Sequence, residues 1–293
     1  MTRKIKYKDT PYAWAMIMPN LLLFIVFMLF PLVWTLVLSL NKYDMITPMK
    51  FIGLKNYVDM FKDPIAMECL SNTLVFTILT VPASMVISLY LAVLLDTNVG
   101  GKRFYRGAYF IPSITSWVVI SVIWQWLYND DFGLFNYLLS FFQLGPIKWL
   151  TSSKLSLLSI VLVSIWKSIG YNMLLFLAGL QSISNVYYEA ADLDGVTRWQ
   201  KFKYITLPLL SPTTFFVFII SIISSFQVFD IVVLMTKGGP ARSSSVLVHY
   251  LYQNAFSYFK MGYASAIAYL LFIIIMIITM FNLHFEKKSR EIF

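Results

Sequence analysis

The sequence TPYAWAMIMPNLLLFIVFMLFPLVWTLVLSLN occupies residues 10–41 and contains no Asp, Glu, Lys or Arg over its 32 positions. A helix needs about 20 apolar residues to cross a bilayer, so this stretch is long enough to span one. Four basic residues within the first eight positions precede it, as they would precede the core of a signal peptide. The stretch is longer than such a core and has no clear small-x-small cleavage site, so we expect a retained first span.

Five further stretches of the same kind follow along the chain. Hydrophobic residues make up 59% of the 293 positions and charged residues 13%, whereas soluble domains carry about 25% charged residues. These stretches are 69–95, 107–129, 155–188 with the single interruption Lys167, 204–229 and 261–285. None shows the alternation of a barrel strand. The sequence therefore predicts an all-α polytopic membrane protein with six transmembrane helices.

The basic residues between these stretches predict the orientation. With the N-terminus inside, the cytoplasmic segments hold 13 Lys and Arg and the outer segments hold 9. An excess of Lys and Arg marks the cytoplasmic side, so both termini are expected there. The prediction comprises a cytoplasmic N-terminal segment 1–13, a six-helix transmembrane domain 14–285 and a cytoplasmic tail 286–293. Its spans are 14–40, 70–95, 107–128, 155–181, 209–229 and 261–284, with a cytoplasmic loop at 184–208.

Several classes of function are excluded by what the sequence lacks. The net charge of +9 comes from short segments between spans and not from a basic patch that would bind nucleic acid. No acidic residue lies deep inside a span, where ion-coupled carriers usually need one. The chain has no G-x-x-x-x-G-K-[ST] phosphate loop, no metal-ligand spacing and no pairing of nucleophile and base. We therefore expect no enzyme activity, no metal and no ATP site in this chain.

Lys167 is the one charged residue near the middle of a predicted span. In one interpretation it is structural and faces polar groups or water between helices, because a charge in the membrane must be satisfied there. In the other it contacts an anionic or hydroxyl-rich substrate. Both interpretations remain open at this point.

The loop at 184–208 combines two short helices with a sharp turn. The first helix covers the sequence around Glu189 and ends at Gly195, which can adopt the left-handed conformation of a helix stop. The second begins with the capping box Thr197-Arg198-Trp199-Gln200 and runs toward Pro208. Such a pair could dock into a groove of another protein, or it could simply join two spans in the headgroup region.

This loop resembles a hallmark of the inner-membrane permeases of binding-protein-dependent ABC importers. The family pattern is Glu-Ala-Ala, three residues, Gly, nine residues, Ile-x-Leu-Pro, and the chain has Glu189, Ala190, Ala191, Gly195, Ile205, Leu207 and Pro208 at that spacing. Further stretches are similar to its carbohydrate branch, the maltose-type and glycerol-phosphate-type permeases. They are Phe51–Tyr57, Asn72-Thr73, Phe110–Pro112, Phe176–Gln181, Asp194-Gly195, Phe226–Asp230, Thr236–Pro240 and Gly262–Ala266.

The resemblance implies a mechanism and a set of partners. The loop, including Asp194, would couple to a separate ATPase that binds ATP and Mg, so the permease itself needs no cofactor. Two ATPase subunits would drive two permeases, which usually are different chains, between inward-facing and outward-facing states in the bacterial cytoplasmic (inner) membrane. An extracellular binding protein would deliver a sugar or oligosaccharide to a permease surrounded by membrane lipid.

Candidate substrate-pathway residues lie in the fourth and fifth spans. Ser221, Ser224, Ser225 and Val228 share one helix face, where the serines could line a sugar path or serve helix packing. In maltose-type permeases the matching stretches line the sugar site, and this resemblance favours the lining role. The complete set of candidates is Lys167, Ile169, Gly170, Tyr171, Asn172, Met173, Ser221, Ser224, Ser225, Gln227 and Val228.

Three function hypotheses follow. The first is the transmembrane permease subunit of an ABC importer for a sugar. The second is a secondary carrier or channel that works without an ATPase, which predicts transport by the purified chain alone. The third, a membrane-embedded enzyme, is disfavoured because no nucleophile, metal site or paired acid is evident.

Overall fold

The computed structural model describes residues 10–97 and 100–290. Most of the predicted N-terminal segment and the end of the predicted tail therefore lie outside the described residues. The described residues are mostly helical, and among them the strands are two short segments, β1 (Asn41–Lys42) and antiparallel β2 (Lys50–Phe51). Four helices within these residues are long and apolar enough to cross a membrane, namely Tyr12–Ser39, Pro64–Asp96, Ser156–Gln181 and Met261–His284. Two bent helix pairs raise the number to six if each pair is counted as one span.

One compact unit consists of the described residues up to Asp63 together with Leu251–Leu270. Its first helix is built from α1 (Thr10–Phe24), a π-helical turn (Ile25–Leu29) and α2 (Phe30–Ser39). Every side chain from Tyr12 to Trp34 is exposed, although almost all of them are apolar. This is the surface expected of a helix that faces lipid.

The end of α2 is fixed by the short helix α3 (Lys55–Lys62). The side-chain amide of Asn56 donates to the carbonyl oxygens of Ser39 at 2.8 Å and Asn41 at 3.0 Å. The hydroxyls of Ser39 and Tyr57 are hydrogen-bonded at 2.8 Å. These contacts satisfy carbonyls that the end of a helix leaves without a partner. The first long helix therefore ends at a defined position, close to the predicted boundary at residue 40.

The second compact unit comprises Pro64–Tyr250 and the residues from Leu271 onward. Its central pair is α4 (Pro64–Asp96) and α8 (Ser156–Gln181), which contact each other along much of their length. Small side chains allow this close approach, and the hydroxyl of Ser88 donates to the carbonyl of Ile169 at 3.0 Å.

The helix α5 (Lys102–Ile114) packs against α8 at Gly170. A Cβ atom at that position would lie 1.9 Å from the carbonyl oxygen of Tyr109. No side chain fits at that distance, so the sequence of α8 allows the backbone of α5 to approach it directly.

The remaining helices are α6 (Trp117–Leu127), α7 (Leu134–Phe141), α9 (Asn185–Leu193), α10 (Arg198–Lys201), α11 (Leu207–Leu209), α12 (Ser211–Phe226), α13 (Asp230–Met235), α14 (Leu247–Tyr252) and α15 (Met261–Arg290), with π-helical turns at Phe202–Thr206 and Gln253–Ser257.

The third predicted span, 107–128, differs from a single straight helix. It consists of α5 and α6, which meet at an angle of 98°. Pro112 lies in the last turn of α5 and offers no backbone N–H, and the side chain of Ser116 accepts a hydrogen bond from the backbone N–H of Val118 at the start of α6. These two residues account for the break, which charge-free length alone does not reveal.

The fifth predicted span, 209–229, also begins at a bend. The helix that ends at Leu209 and α12 meet at 65°. Pro208 and Pro212 flank the bend, and proline bends helices because it removes a donor and its ring clashes with the preceding turn. The helix ends at Phe226, so Gln227, Val228 and Phe229 form the connection to α13.

Candidate functional site

A cavity of about 290 Å³ lies within the second unit. It is lined by α4, α8 and α12, by the end of α5 and the start of α6, and by the residues at the start of α13. Its volume is close to the lower end of the range for small-molecule pockets, about 300–1,000 Å³. The lining residues are Phe76, Thr80, Val81, Ser84, Ser113, Trp117, Ser164, Lys167, Ser168, Tyr171, Asn172, Ile220, Ser221, Ser224, Ser225, Gln227, Val228, Phe229, Asp230 and Ile231.

The chemistry of this wall is mostly neutral and rich in hydroxyl groups. Eight of the lining residues are serine or threonine, and four are aromatic. Two lining residues are charged, Lys167 and Asp230. A wall of this kind can exchange hydrogen bonds with many hydroxyl groups and can stack rings on apolar faces.

Eight of the predicted pathway residues line the cavity. They are Lys167, Tyr171, Asn172, Ser221, Ser224, Ser225, Gln227 and Val228. The amide of Asn172 on α8 donates to the hydroxyl of Ser221 on α12 at 3.3 Å, which connects the two predicted stretches. The hydroxyl of Ser225 donates to the carbonyl of Ile222 within its own helix at 2.9 Å.

The other three predicted pathway residues do not line the cavity. Gly170 lies against the backbone of Tyr109, and Met173 is fully buried in an apolar cluster with Phe176 and Leu210. Ile169 contributes its carbonyl oxygen to the hydrogen bond with Ser88. These three positions therefore serve packing between helices in this structure.

Lys167 is directed at the end of α5. Its Nζ lies 3.0 Å from the carbonyl oxygen of Pro112, 3.3 Å from that of Ser113 and 2.6 Å from that of Thr115. The same atom lies 4.8 Å from the centre of a Trp117 ring, within range of a cation–π interaction. The polar partners of this ammonium group in the described structure are thus backbone carbonyls at the bend.

A second cavity, of about 640 Å³, adjoins the first. Both are lined by Ser113, Trp117, Lys167, Phe229 and Asp230. The second extends along Thr115–Val118 and along Val233 and Leu234 of α13. Residues at the α5–α6 bend and at the start of α13 therefore contribute to the walls of both cavities.

Sequence reasoning missed several residues of the wall. Ser164 and Ser168 precede Tyr171 on α8 at the i, i+4, i+7 spacing of one helix face, and Thr80 and Ser84 lie one turn apart on α4. These patterns could have revealed the polar faces. The hydroxyl oxygens of Thr80 and Ser164 have no hydrogen-bond partner among the described residues.

The loop at 184–208 has the geometry of two capped helices. The hydroxyl of Ser184 caps α9, and Thr197 and Gln200 form a reciprocal capping box at the start of α10. Gly195 lies between them at φ +70°, a conformation that L side chains rarely adopt. An ion pair between Asp192 and Lys201 connects the two helices.

The predicted coupling residues divide between a cleft and an exposed surface. The cleft, about 380 Å³, is lined by Tyr187, Ala190, Ala191, Asp194, Val196, Gln200, Tyr204 and Ile205. Glu189 and Leu207 are exposed, and Pro208 is half-buried. Large apolar side chains are also exposed on this loop, with Leu193 at 90% and Trp199 at 68%. An exposed apolar surface of this kind is typical of a protein interaction site.

Comparison with known proteins identifies the family. The family described as binding-protein-dependent transport system inner membrane component matches residues 10–291. The trehalose/maltose transport system permease protein MalF of Thermococcus litoralis is 33% identical, with 99% of each chain covered. The arabinooligosaccharides transport system permease protein AraP of Bacillus subtilis is 34% identical, with 94% of this chain and 88% of that protein covered.

A solved structure shows the same fold. In a crystal structure of a bacterial alginate ABC transporter in complex with alginate pentasaccharide-bound periplasmic protein, one chain matches with a TM-score of 0.85 at 22% identity. The match covers 96% of this chain and 95% of that chain. Because the family match and these relatives extend over almost the entire sequence, the chain belongs to the binding-protein-dependent transport system inner membrane components.

Proposed function

We propose that this chain is the transmembrane permease subunit of an ABC importer that takes up a sugar or oligosaccharide. As a member of its family it is a multi-pass protein of the inner membrane. The observation that supports a sugar is the wall of the 290 Å³ cavity, where hydroxyl side chains and aromatic rings predominate. Neutral hydrogen-bonding groups suit sugar hydroxyls, and aromatic faces suit the apolar faces of a sugar ring. Relatives named for trehalose, maltose and arabinooligosaccharides agree with this class.

The path of the solute in this proposal runs through the cavity. The eight predicted residues that line it contact the sugar together with the additional hydroxyls of α4 and α8. A different second permease supplies the facing half of the path. An extracellular binding protein delivers the sugar, and alternating access moves it across the membrane. The related alginate transporter, whose crystal structure contains a periplasmic protein with bound alginate pentasaccharide, supports this arrangement.

The energy for transport comes from two separate ATPase subunits. The loop at 184–208 sits in a cleft of the ATPase, with exposed Glu189 at the contact and the left-handed Gly195 shaping the turn. ATP and Mg bind to the ATPase, and this chain carries no cofactor. In this proposal the chain has six spans with both termini in the cytoplasm, and the loop lies on the ATPase side.

A pull-down tests the proposal. The tagged chain is purified from its native membranes, and the co-purifying subunits are identified by mass spectrometry. We expect an ATPase and a second six-span permease. Glu189→Lys and Gly195→Pro should lose the ATPase while they keep the second permease. Lys154→Met, a change at an exposed lysine far from the loop in sequence, serves as the control and should retain all partners.

The competing carrier hypothesis makes the opposite prediction. A secondary carrier or channel would purify alone and would move solute in liposomes without ATP. An ATP-independent flux through the purified chain would overturn the proposed importer.

A further inference from the structure

We infer that the cavity admits an uncharged sugar, and that Lys167 is a positioning residue for the cavity wall and not a contact for an anionic substrate. This inference rests on the proposed sugar transport and narrows its substrate class.

The donors of Lys167 are already used. An ammonium group has three N–H donors, and three backbone carbonyls lie 2.6–3.3 Å from Nζ. All three carbonyls belong to residues 112–115, where α5 ends. A cation held this way has no donor left for a carboxylate or phosphate in the cavity.

The end of α5 needs such a partner. The last carbonyls of a helix lack intrahelical donors and carry partial negative charge. Because α6 leaves at 98°, it does not continue the hydrogen bonds of α5 as a straight helix would, and the carbonyl of Pro112 accepts a 3.3 Å bond from the N–H of Thr115. The ammonium group of Lys167 on α8 donates hydrogen bonds to these carbonyl oxygens, and its positive charge balances their partial negative charge.

A reciprocal contact joins the same two helices. The hydroxyl of Ser113 donates to the carbonyl of Lys167 at 2.8 Å and accepts from the backbone N–H of Tyr171 at 3.1 Å. These two backbone groups are four residues apart, the pair that an α-helix joins directly. The Ser113 hydroxyl therefore bridges a turn of α8 while the Lys167 side chain caps α5. We call this set of contacts between Lys167 and residues 112–115 the bend clamp.

The bend clamp positions part of the cavity wall. Ser113 and Trp117 lie on the two sides of the bend and line both cavities. The Trp117 ring is placed 4.8 Å from the Lys167 Nζ. Loss of the bend clamp would therefore move Ser113 and Trp117, so the shape of the cavity wall would change at residues other than Lys167.

The charge that remains available to a solute is negative. Apart from Lys167, the charged residue among those lining the cavity is Asp230, which is exposed. On this chain's half of the path, an anionic sugar would meet this carboxylate, and the lining residues of the cavity offer it no cation besides the already hydrogen-bonded Lys167. An uncharged sugar can donate a hydroxyl to Asp230 and can exchange hydrogen bonds with the serine and threonine side chains. The wall thus favours uncharged sugars over uronates and sugar phosphates.

The first test measures which solutes are transported. The complete importer, purified with its partners and binding protein, is reconstituted into liposomes that contain ATP on the ATPase side. It is offered a mixed hydrolysate of starch, xylan, arabinan, pectin and alginate together with sugar phosphates, and mass spectrometry identifies what accumulates. Accumulation of uncharged sugars alone supports the inference. Accumulation of a uronate or sugar phosphate overturns it and leaves the importer function intact. If no component accumulates, the proposed sugar importer fails and the inference fails with it.

The second test uses matched lysine variants. Lys167→Met should raise the KM for the transported uncharged sugar about tenfold or more, because misplaced contacts at a site are costly. Lys167→Arg should restore most of the uptake, since a guanidinium group offers five donors to the same carbonyls. Lys154→Met should behave as the wild type. If Lys167→Met instead abolished uptake of an acidic sugar and spared an uncharged one, Lys167 would be an anion contact and the inference would be wrong.

A further variant covers the case in which Lys167→Met cannot be purified. Ser113→Ala removes the reciprocal hydrogen bonds and keeps the lysine charge. It should raise the KM for the uncharged sugar. A wild-type KM in Ser113→Ala would count against the bend clamp.

Discussion

The two bent helix pairs of the second unit are stabilised by different means. At the 98° bend between α5 and α6, the carbonyls of the helix end bind the ammonium group of Lys167, which comes from α8. At the 65° bend before α12, the hydrogen bonds come from residues close to the bend in sequence. Pro208 and Pro212 flank that bend, and the carbonyl of Leu210 accepts from the N–H of Thr214 at 2.9 Å and from its hydroxyl at 3.1 Å.

The two bends therefore depend on the rest of the protein to different extents. The hydrogen bonds at the second bend join residues within a few positions, so these polar contacts should follow the local sequence, while Leu210 also packs against Met173 and Phe176 of α8. The first depends on a side chain more than fifty positions away and on the close packing of α5 against α8. Distant substitutions should therefore disturb the first bend, whereas the second and its preceding loop should respond to local ones.

The largest effect is expected from Gly170→Ala. Its Cβ would lie 1.9 Å from the carbonyl oxygen of Tyr109, so α5 must move away from α8 and the bend clamp must break. Overpacking against backbone should destabilise the protein by about 3 kcal/mol. The check is the thermal midpoint of the purified protein in detergent. The control is Gly107→Ala on α5, where a Cβ would meet nothing within 4 Å. A wild-type midpoint for Gly170→Ala would refute the dependence of the first bend on α8.

A smaller effect is expected from Gly195→Ala in the loop before the second bend. A Cβ there has open space, so the cost comes from φ +70° alone, about 1–2 kcal/mol for an ordinary L-residue. Hydrogen exchange of α9 and α10 should increase, and less ATPase should co-purify. Gly195→Asn is the matched comparison, because asparagine tolerates the left-handed conformation. Equal losses in the two variants would show that the conformation of this residue is not the cause.

Thr197→Ala should have a more local effect. The substitution removes the side chain that accepts from the backbone N–H of Gln200, and loss of such a cap costs about 1 kcal/mol. Faster exchange of the amide protons of α10 would be the measurement, with Thr197→Ser expected to restore protection. Increased exchange in α5 and α6 as well would contradict the independence of the two bends.

The smallest effect on stability is expected from a decrease in pH. It concerns His249, which lies outside both bends. His249 is 5% exposed, and its Nδ1 lies 2.9 Å from the hydroxyl of Ser245. Burial lowers the pKa of this imidazole, so the folded protein favours the neutral ring. An unfolded histidine has a pKa of about 6.5, so the contribution to stability is complete above that pH and decreases as the pH falls below it.

Thermal midpoints measured between pH 7.5 and pH 5 test this sign. We expect a decrease toward pH 5 that is shallower in His249→Gln. Hydrogen exchange should increase around residues 236–249 and remain unchanged at the two bends. An identical slope in wild type and variant would assign the pH dependence to other groups.

The contrast between the bends also explains which features could be predicted. The sequence predicts the helix caps of the loop, the turn at Gly195 and the helix end near Pro208, because each of these features depends on residues only a few positions apart. The α5–α6 bend is not predicted in this way, since Lys167 has no sequence relation to Pro112 or Thr115 that periodicity could reveal. Charge-free length indicates that a segment can span a membrane, but it does not report whether the helix is straight.

The part of the cavity wall that depends on residues close in sequence could likewise be predicted. The serines of α12 share a helix face, so their proximity follows from helix geometry. The resemblance to maltose-type permeases favours Ile169, Gly170 and Met173 as path residues, and the structure places them in helix contacts. Which face of α8 meets the cavity depends on how closely α5 approaches, and a single small residue in the sequence does not give that distance.

The first long helix presents a different kind of constraint. From Tyr12 to Trp34 its side chains are exposed, whereas the buried residues of α8 include Ile160, Val163 and Met173. Selection on an exposed apolar helix acts on its total hydrophobicity, and many sequences satisfy that requirement equally well. Selection on α8 acts on the shape of each side chain. Among related permeases, the first helix should therefore drift rapidly among Leu, Ile, Val, Phe and Met, and α8 should retain the identity of its small residues for much longer.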